Sequence, residues 1–259
     1  MDPIEEAARL LAKAEHAVAL TGAGVSTASG IPDFRGPHGL WRRIPPWKFT
    51  IDYFYENPLE VWRLYKTLYQ TLKHARPNPA HKALATLEKE GIIKTIITQN
   101  IDGLHQKAGS KNVIELHGTA TRARCTVCGH TIPIEQALAS LNHTPPRCPR
   151  CQGLLKPDIV FFGEPLPTQA LHKAIQEATR ADVMLVAGTS LQVSPANQLP
   201  IIAKNRGAKI IIVNLQPTPQ DHTADIVIHA PVELALTEIC GKTLDYAQSG
   251  NSPLRGECR

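Results

Sequence analysis

Four cysteines are the strongest chemical signal in this sequence. They form two Cys-x-x-Cys pairs, Cys125 with Cys128 and Cys148 with Cys151. In a reducing compartment, paired thiols at this spacing bind metal more often than they form disulfides, and four thiolates complete the coordination of one Zn²⁺. Such a closed site keeps no position for water or substrate. We therefore expect one structural zinc ion in a small zinc-ribbon module.

A second group of residues that could do chemistry lies directly after apolar runs. Gly22-Ala23-Gly24 follows one run, and a turn of this type lets backbone N–H groups approach a phosphate, although glycine also occurs in such turns for steric reasons alone. His117 follows another run. A histidine has an ordinary pKa of about 6.5, which suits a general base, but a single histidine at a strand end is more often structural.

The elements that position these residues follow from the hydrophobic pattern. Short runs rich in Val, Ile and Ala alternate with helical patterns, which is typical of a parallel sheet covered by helices on both faces. We therefore predict an α/β, Rossmann-like fold, in which ligands bind beyond the carboxyl ends of the strands. The predicted strands are residues 17–21, 92–98, 113–116, 159–162, 183–187, 209–213 and 226–228.

Two segments interrupt this alternation. Residues 36–78 contain all three tryptophans, four of the five tyrosines and a helical pattern over 58–73, while residues 120–156 contain the paired cysteines. We expect this helical insertion and the zinc module to form a smaller second domain. The Rossmann-like domain then comprises residues 1–35, 79–119 and 157–259.

Composition excludes several classes of protein. The chain has 259 residues, 42% of them hydrophobic and 20% charged, which is typical of a globular protein. The longest uncharged stretch of the chain, 183–203, contains polar residues and two prolines, so we expect no membrane span. The acidic first residues lack the features of a signal peptide, so we expect a cytoplasmic protein. Most of the net charge of +5 lies in 121–156, but four zinc-bound thiolates offset part of it, so we do not expect direct nucleic-acid binding.

Seven motifs follow one another along the chain: GAGVSTASGIPDFRG at 22–36, TQNIDGLH at 98–105, ELHG at 115–118, the four cysteines, VFFGE at 160–164, GTSL at 188–191 and NLQ at 214–216. Taken in this order, they resemble the motifs of the sirtuins, a family of NAD-dependent protein deacylases. The resemblance extends over roughly residues 20–232. Because independent motifs coincide in sequence order, it implies the fold and activity of that family.

The activity that the resemblance implies is NAD-dependent removal of acetyl groups from protein lysines. In the family, the acyl oxygen attacks the ribose as nicotinamide leaves, and a ribose hydroxyl then attacks the product of that step with the help of a general base. His117 matches the base, and Asn100 is the second implied catalytic residue. The products are free lysine, nicotinamide and O-acetyl-ADP-ribose. Chromosomal proteins are a substrate class suggested by family analogy alone, and the oligomeric state stays open.

The resemblance also implies sites for NAD and for the substrate peptide. Asn100 and Asp102 would hold the ribose and the nicotinamide amide, and Gln99 would also contact the ribose. Phe34 would shield the sugar from water. The backbone of the VFFGE motif would pair with an extended peptide. The implied NAD-binding residues are Gly22, Ala23, Gly24, Thr27, Asp33, Phe34, Arg35, Trp41, Gln99, Asn100, Ile101, Asp102, Gly188, Thr189, Ser190, Asn214, Leu215, Gln216 and Val232, and the implied peptide-binding residues are Val160, Phe161, Phe162 and Gly163.

One departure from the family bears on the acyl group. Sirtuins that remove succinyl or malonyl groups carry Tyr-x-x-Arg, and the matching positions here are Tyr65 and Leu68. Without the arginine clamp we expect acetyl or another uncharged acyl group to be preferred.

Two alternative functions stay open. One is mono-ADP-ribosyl transfer to protein, and the other is a non-catalytic NAD-sensing or zinc-dependent DNA-binding module.

Overall fold

The computed structural model describes residues 2–36 and 39–250. Strands and helices alternate through most of this range, as the hydrophobic pattern predicts. The strands are β1 (Ala17–Thr21), β2 (Ile93–Thr98), β3 (Val113–Glu115), β4 (Gly118–Cys125), β5 (Thr131–Pro133), β6 (Leu155–Ile159), β7 (Val183–Ala187), β8 (Lys209–Val213) and β9 (Ile226–Ile228). The α-helices are α1 (Pro3–Lys13), α2 (Ile51–Glu56), α3 (Pro58–His74), α4 (Pro79–Lys89), α5 (Leu104–Ala108), α6 (Ile134–Ala139), α7 (Thr168–Arg180), α8 (Leu199–Asn205) and α9 (Val232–Gly250).

Six strands form one parallel sheet in the order β3-β2-β1-β7-β8-β9. The bounds of β1, β7, β8 and β9 agree with the sequence prediction. All residues of β1 and β7 are buried, because the two faces of the sheet are covered by two separate hydrophobic cores. One core contains side chains of α1, α4 and α9, and the other contains side chains of α7 and α8.

The strand predicted at 159–162 is wrong. The chain instead forms β6 and pairs antiparallel with β4, in a separate three-stranded sheet of order β5-β4-β6. Its register places Leu155 opposite Cys125, so this sheet is part of the cysteine module. The apolar residues that predicted a strand mostly follow β6 and lie outside the sheet. The first of them, Val160, donates its N–H to His117 O at 2.9 Å.

The helical insertion packs against the cysteine module in a third hydrophobic core. Trp62 Nε1 of α3 donates to Leu155 O at 2.8 Å, and the Tyr65 hydroxyl donates to Ala120 O at 3.1 Å. The predicted fold class is therefore confirmed, with a smaller domain built from two separate insertions. The small sheet extends over residues 118–159, slightly beyond the predicted 120–156 module. Residues 251–259 of the predicted larger domain lie outside the described residues.

The turns that follow β1 and β7 touch through their backbones. Gly24 N donates to Gly188 O at 2.8 Å. A Cβ atom on Gly188 would lie 2.4 Å from Val25 N, and one on Gly24 would lie 2.8 Å from the Cα of Gly188. Gly188 also has a φ of +61°, which disfavours any other residue. These glycines are therefore required by the close approach of two strand ends.

We predict that Gly188→Ala destabilises the protein far more than Gly91→Ala. Both glycines have positive φ, but a Cβ on Gly91 meets nothing within 4 Å. Gly91→Ala should cost about 1 kcal/mol through backbone strain, and Gly188→Ala at least about 3 kcal/mol, because steric overlap is added. Urea unfolding of the two variants measures the difference. Equal decreases in the free energy of unfolding would contradict the close contact between the turns after β1 and β7.

Candidate active site and zinc site

A cavity of about 620 Å³ lies between the carboxyl edge of the large sheet and the small domain. Its wall combines side chains from the loops after β1, β2 and β6 with side chains of α3. The structure therefore brings together thirteen of the residues implied by the sequence motifs. They are Ala23, Phe34, Arg35, Trp41, Gln99, Asn100, Ile101, Asp102, His117, Val160, Phe161, Phe162 and Gly163.

Asn100 is buried at the base of the cavity, and its amide is held in one orientation. Its Nδ2 donates to Gly22 O at 3.0 Å and to Ser26 Oγ at 3.2 Å. Ser26 Oγ in turn donates to Asp102 Oδ2 at 2.7 Å, and Asp102 Oδ1 accepts from Leu104 N at 2.8 Å. Because the amide nitrogen is occupied, Oδ1 of Asn100 is the atom left to accept a hydrogen bond from a ligand.

The tautomer of His117 follows from its backbone contact. Nδ1 lies 2.8 Å from Gln99 O, and a carbonyl oxygen can only accept, so Nδ1 carries the proton. Nε2 is then free to accept one. Burial lowers the pKa of His117 below its ordinary value, while the Gln99 contact partly offsets this shift. The ring is therefore neutral near pH 7, the form that a general base needs.

Aromatic rings form one wall of the cavity. Trp41 contacts Phe34, Phe49 and Phe162, with ring centroids 5.0, 5.6 and 5.8 Å apart. The loop that carries Phe34 is closed by its backbone, because Leu40 N donates to Asp33 O and Trp41 N donates to Phe34 O. Phe34 is 40% exposed, so one face of its ring remains available to a ligand.

Eleven of the implied NAD-binding residues do not line this cavity. Gly22, Gly24, Gly188 and Thr189 meet at the ends of β1 and β7, where Gln99 Nε2 donates to Thr189 Oγ1 at 3.0 Å. Others follow β8 along the same edge of the sheet, and Val232 is buried in a hydrophobic core. The residues outside the cavity are Gly22, Gly24, Thr27, Asp33, Gly188, Thr189, Ser190, Asn214, Leu215, Gln216 and Val232.

The segment implied to bind the peptide already uses most of its backbone groups. Phe162 N donates to Phe49 O, and Phe162 O accepts from Ile51 N, each at 2.9 Å. Phe161 N donates to Glu164 Oε2 at 2.8 Å. Among the residues that the structure describes, Val160 O, Gly163 N and Gly163 O have no partner. Pairing along the whole segment is therefore not supported, and the groups left to pair with a peptide are Val160 O and the two backbone groups of Gly163.

The four cysteine sulfurs lie within 4.8 Å of one another. The Sγ atoms of Cys128 and Cys148 are 3.7 Å apart, and those of Cys125 and Cys151 are 3.5 Å apart. Four thiolates around one Zn²⁺ lie about 3.8 Å apart, as follows from Zn–S distances of about 2.3 Å in a tetrahedron. The sulfurs therefore fit one zinc ion with no open position. Within the described residues this is the one cluster of such ligands.

Comparison with known proteins agrees with this geometry. Residues 22–195, more than half of the chain, match the Sir2 family. The chain belongs to the Sir2 family. It is 53% identical over 244 residues to NAD-dependent protein deacetylase 1 of Pyrobaculum aerophilum, with 94% of each chain covered.

Solved Sir2 structures share the fold of this chain. A complex of Sir2 with a p53 peptide and NAD⁺ superposes with a TM-score of 0.85 and 43% identity, covering 96% of this chain and 99% of the other. A complex of a Sir2 variant with deacetylated p53 peptide and 3'-O-acetyl-ADP-ribose gives a TM-score of 0.86 and 43% identity, covering 93% and 97%.

Sequence reasoning missed two residues that support the Sir2 site. Ser26 is 1% exposed and joins Asn100 to Asp102, and His81 Nε2 lies 3.4 Å from Ser26 Oγ. Ser26 lies inside a recognised motif, but His81 lies on α4, where the spacing Asn78-Pro79-x-His81 signals only a helix start. Ser194 and Pro195 line the cavity as well, and no motif indicated them.

A buried histidine pair lies beneath this Sir2 site. The rings of His81 and His105 are 4.9 Å apart, and His105 Nε2 contacts Thr21 Oγ1 at 2.9 Å. Burial lowers the pKa of His105 to about 3 and that of His81 to about 4. Both rings are therefore neutral near pH 7. His105 does not line the cavity.

We predict that zinc content depends on the paired cysteines and on no other described cysteine. Purified wild-type protein should hold one zinc ion per chain, and Cys128→Ala should lose most of it, because three thiolates bind the ion less tightly. Cys240→Ala is the matched control, since Cys240 is buried in the core on α9. Atomic absorption measures the metal. Full zinc content in Cys128→Ala would contradict the assignment.

Proposed function

We infer that this chain is an NAD-dependent protein-lysine deacetylase that releases nicotinamide, O-acetyl-ADP-ribose and free lysine. One observation carries the inference. The Nε2 atom of His117 is free to accept a proton in the cavity where Asn100 presents a fixed amide oxygen. Residues of the same cavity provide an aromatic wall and a free peptide group at Gly163.

The residues present fit NAD. The cavity contains an oriented amide, a neutral histidine and an exposed aromatic face, as a nicotinamide riboside requires. When bound, NAD supplies the ribose carbon that accepts the acyl oxygen and the nicotinamide that departs. Asn100 and Asp102 would hold the polar groups of this half, while Phe34 would exclude water. His117 would take the proton of a ribose hydroxyl at Nε2.

The adenosine half of NAD would occupy the adjacent edge of the sheet. Gly22, Gly24 and Gly188 let the turns after β1 and β7 pack together at this edge, because a Cβ atom on any of them would overlap the facing turn. The phosphates of NAD would lie over these two turns. Asn214 follows β8 with its side chain bonded to Gln216 O at 2.6 Å. This arrangement supports the implied phosphate and adenosine contacts. The same proposal retains the predicted domain division, with NAD between the Rossmann-like domain and the smaller one.

Acetylated lysines of proteins are the proposed substrates. The Sir2 relatives with solved complexes bind acylated or deacetylated peptides, including a propionylated peptide. Chromosomal proteins stay part of the proposal by family analogy, and a cytoplasmic location stays part of it from the sequence pattern. Across residues 2–36 and 39–250 the structure contains no helix that is long and apolar enough to cross a bilayer.

The charges of the zinc module argue against the DNA-binding alternative. Arg122 and Arg124 both pair with Asp158, at 2.9 and 2.7 Å, so their charges are partly neutralised. A nucleic-acid surface needs free cations aimed at phosphates. Mono-ADP-ribosyl transfer uses the same cavity, and the assay below separates it from deacetylation.

We predict that His117→Ala lowers deacetylation at least about 100-fold, because a general base contributes about 10²–10⁴-fold in rate. An acetyl-lysine peptide is incubated with protein and NAD, and mass spectrometry follows loss of acetyl and formation of O-acetyl-ADP-ribose. His143→Ala is the control, because His143 is exposed on the zinc module, away from the cavity.

The same assay distinguishes the alternatives. Transfer of label from radiolabelled NAD to protein, without O-acetyl-ADP-ribose, would favour mono-ADP-ribosyl transfer. An unchanged peptide together with bound NAD would favour a non-catalytic sensor. Full activity in His117→Ala would overturn the assigned base.

The acyl preference follows from α3. Tyr65 lines the cavity, but its hydroxyl donates to Ala120 O at 3.1 Å, and burial raises its pKa. Leu68, one turn further along α3, lines the cavity with an apolar side chain. A succinyl carboxylate beside Leu68 would therefore have no positive partner on α3.

We predict that kcat/KM for an acetyl peptide exceeds that for the matched succinyl peptide by at least about 100-fold, since an unpaired buried charge costs several kcal/mol. Leu68→Arg should lower the ratio of the acetyl to the succinyl kcat/KM, whereas Leu68→Met should leave this ratio unchanged. Equal rates on the two peptides would show that the carboxylate has a partner that α3 does not provide.

A further inference from the structure

A largely buried lysine lies behind the wall of the cavity. Lys156 belongs to β6, and its side chain is 11% exposed. Its Nζ atom donates to Ile159 O at 2.6 Å and to Pro157 O at 3.3 Å, and lies 2.9 Å from Glu164 Oε2. The ammonium also lies 4.6 Å from the centre of the Phe161 ring. A charge at this depth is costly unless it is paired, so these contacts hold the side chain in one position.

Glu164 connects this lysine to the turn that carries Phe162 and Gly163. Its Oε2 atom accepts from Phe161 N at 2.8 Å, and its own N–H donates to Phe161 O at 3.0 Å. The turn 161–164 is thus closed by both side chain and backbone. Gly163 lies within it with a φ of +90° and leaves its N–H and C=O without a partner in the described part of the chain.

The Lys156–Glu164 pair is separate from the other charges of the small sheet. Within residues 2–36 and 39–250, neither residue forms an ion pair with any third group. Arg124, which lies opposite Lys156 in the register of β4 and β6, pairs with Asp158 instead and is about half exposed. No neighbouring cation in the described sheet takes the place of the Lys156 ammonium at Glu164.

We propose that Lys156 is a positioning residue for the substrate peptide. Through Glu164 it holds the turn 161–164 in the form that presents the Phe162 side chain and the free backbone of Gly163 to the acyl-lysine segment. The proposal rests on the proposed function and goes beyond it, because neither the zinc site nor the NAD contacts involve this pair. Loss of the lysine charge then weakens peptide binding while the NAD half of the site stays intact.

The test uses Lys156→Met, which keeps the length of the side chain and removes its charge. The KM for the acetyl-lysine peptide should rise about tenfold or more, while kcat and the KM for NAD stay within about twofold. Lys156→Arg should recover most of the peptide affinity, because it keeps the charge. Arg124→Met is the matched control from the same sheet and should leave the peptide KM unchanged.

A double-mutant cycle with Glu164→Gln tests whether the two residues act as one unit. If they do, Lys156→Met combined with Glu164→Gln should be no worse than the more severe single variant. Additive losses would overturn the proposal. It is also overturned by an unchanged peptide KM in Lys156→Met, or by parallel losses of zinc, thermal stability and NAD affinity, which mark a merely structural role.

Failure of the proposed function is a separate outcome. If the wild-type protein releases no acetyl group, fluorescence anisotropy with a labelled acetyl-lysine peptide tests the positioning role by itself. Weaker binding by Lys156→Met than by wild type supports it. Equal affinity overturns it, and absence of peptide binding by the wild type overturns both.

Discussion

The backbone of Gly24 lies against the backbone of Gly188, at a distance that leaves no room for a side chain on either residue. This contact places the turn after β1 over the end of β7. It thereby fixes Ala23 at the cavity and Ser26 below it, from where Ser26 reaches the loop after β2. The catalytic geometry depends on steric fit between two turns before any catalytic side chain is considered.

Hydrogen bonds within the protein then decide which atoms face a ligand. Asn100 uses its amide nitrogen internally, and His117 uses Nδ1. The acceptor left to face a ligand is therefore Oδ1 in Asn100 and Nε2 in His117. Because these groups are buried, rotation would leave an unsatisfied donor, which costs about 1–3 kcal/mol. The site is therefore preorganised before NAD binds.

The sequence was sufficient for the central sheet and for the zinc ligands. Strands such as β1 and β7 are mainly apolar runs because both of their faces are buried. The zinc ligands are recognisable because each Cys-x-x-Cys pair lies within four consecutive residues. The error at β6 has a physical reason. Lys156 and Asp158 are polar residues within that strand, and ion pairs keep them partly buried. Asp158 pairs with Arg122 and Arg124, which precede it by 36 and 34 residues, and Lys156 pairs with Glu164, eight residues later.

The supporting residues of the site were harder to find from sequence. Ser26 contacts Asp102 across 76 residues of chain, and His81 lies 55 residues from Ser26. Neither position has a local pattern that separates it from an ordinary turn or helix residue. The motifs located the groups that face the cavity, whereas the groups that hold them became visible only when the chain was folded.

The small domain also has a consequence for the order of folding. Trp62 on α3 is completely buried, and its indole nitrogen bonds to a carbonyl 93 residues later in the chain. During synthesis, α3 emerges well before the segment that covers it, so its aromatic face stays exposed to water until the second cysteine pair has followed. One wall of the cavity is therefore completed late, and a nascent chain is expected to need protection from aggregation during that interval.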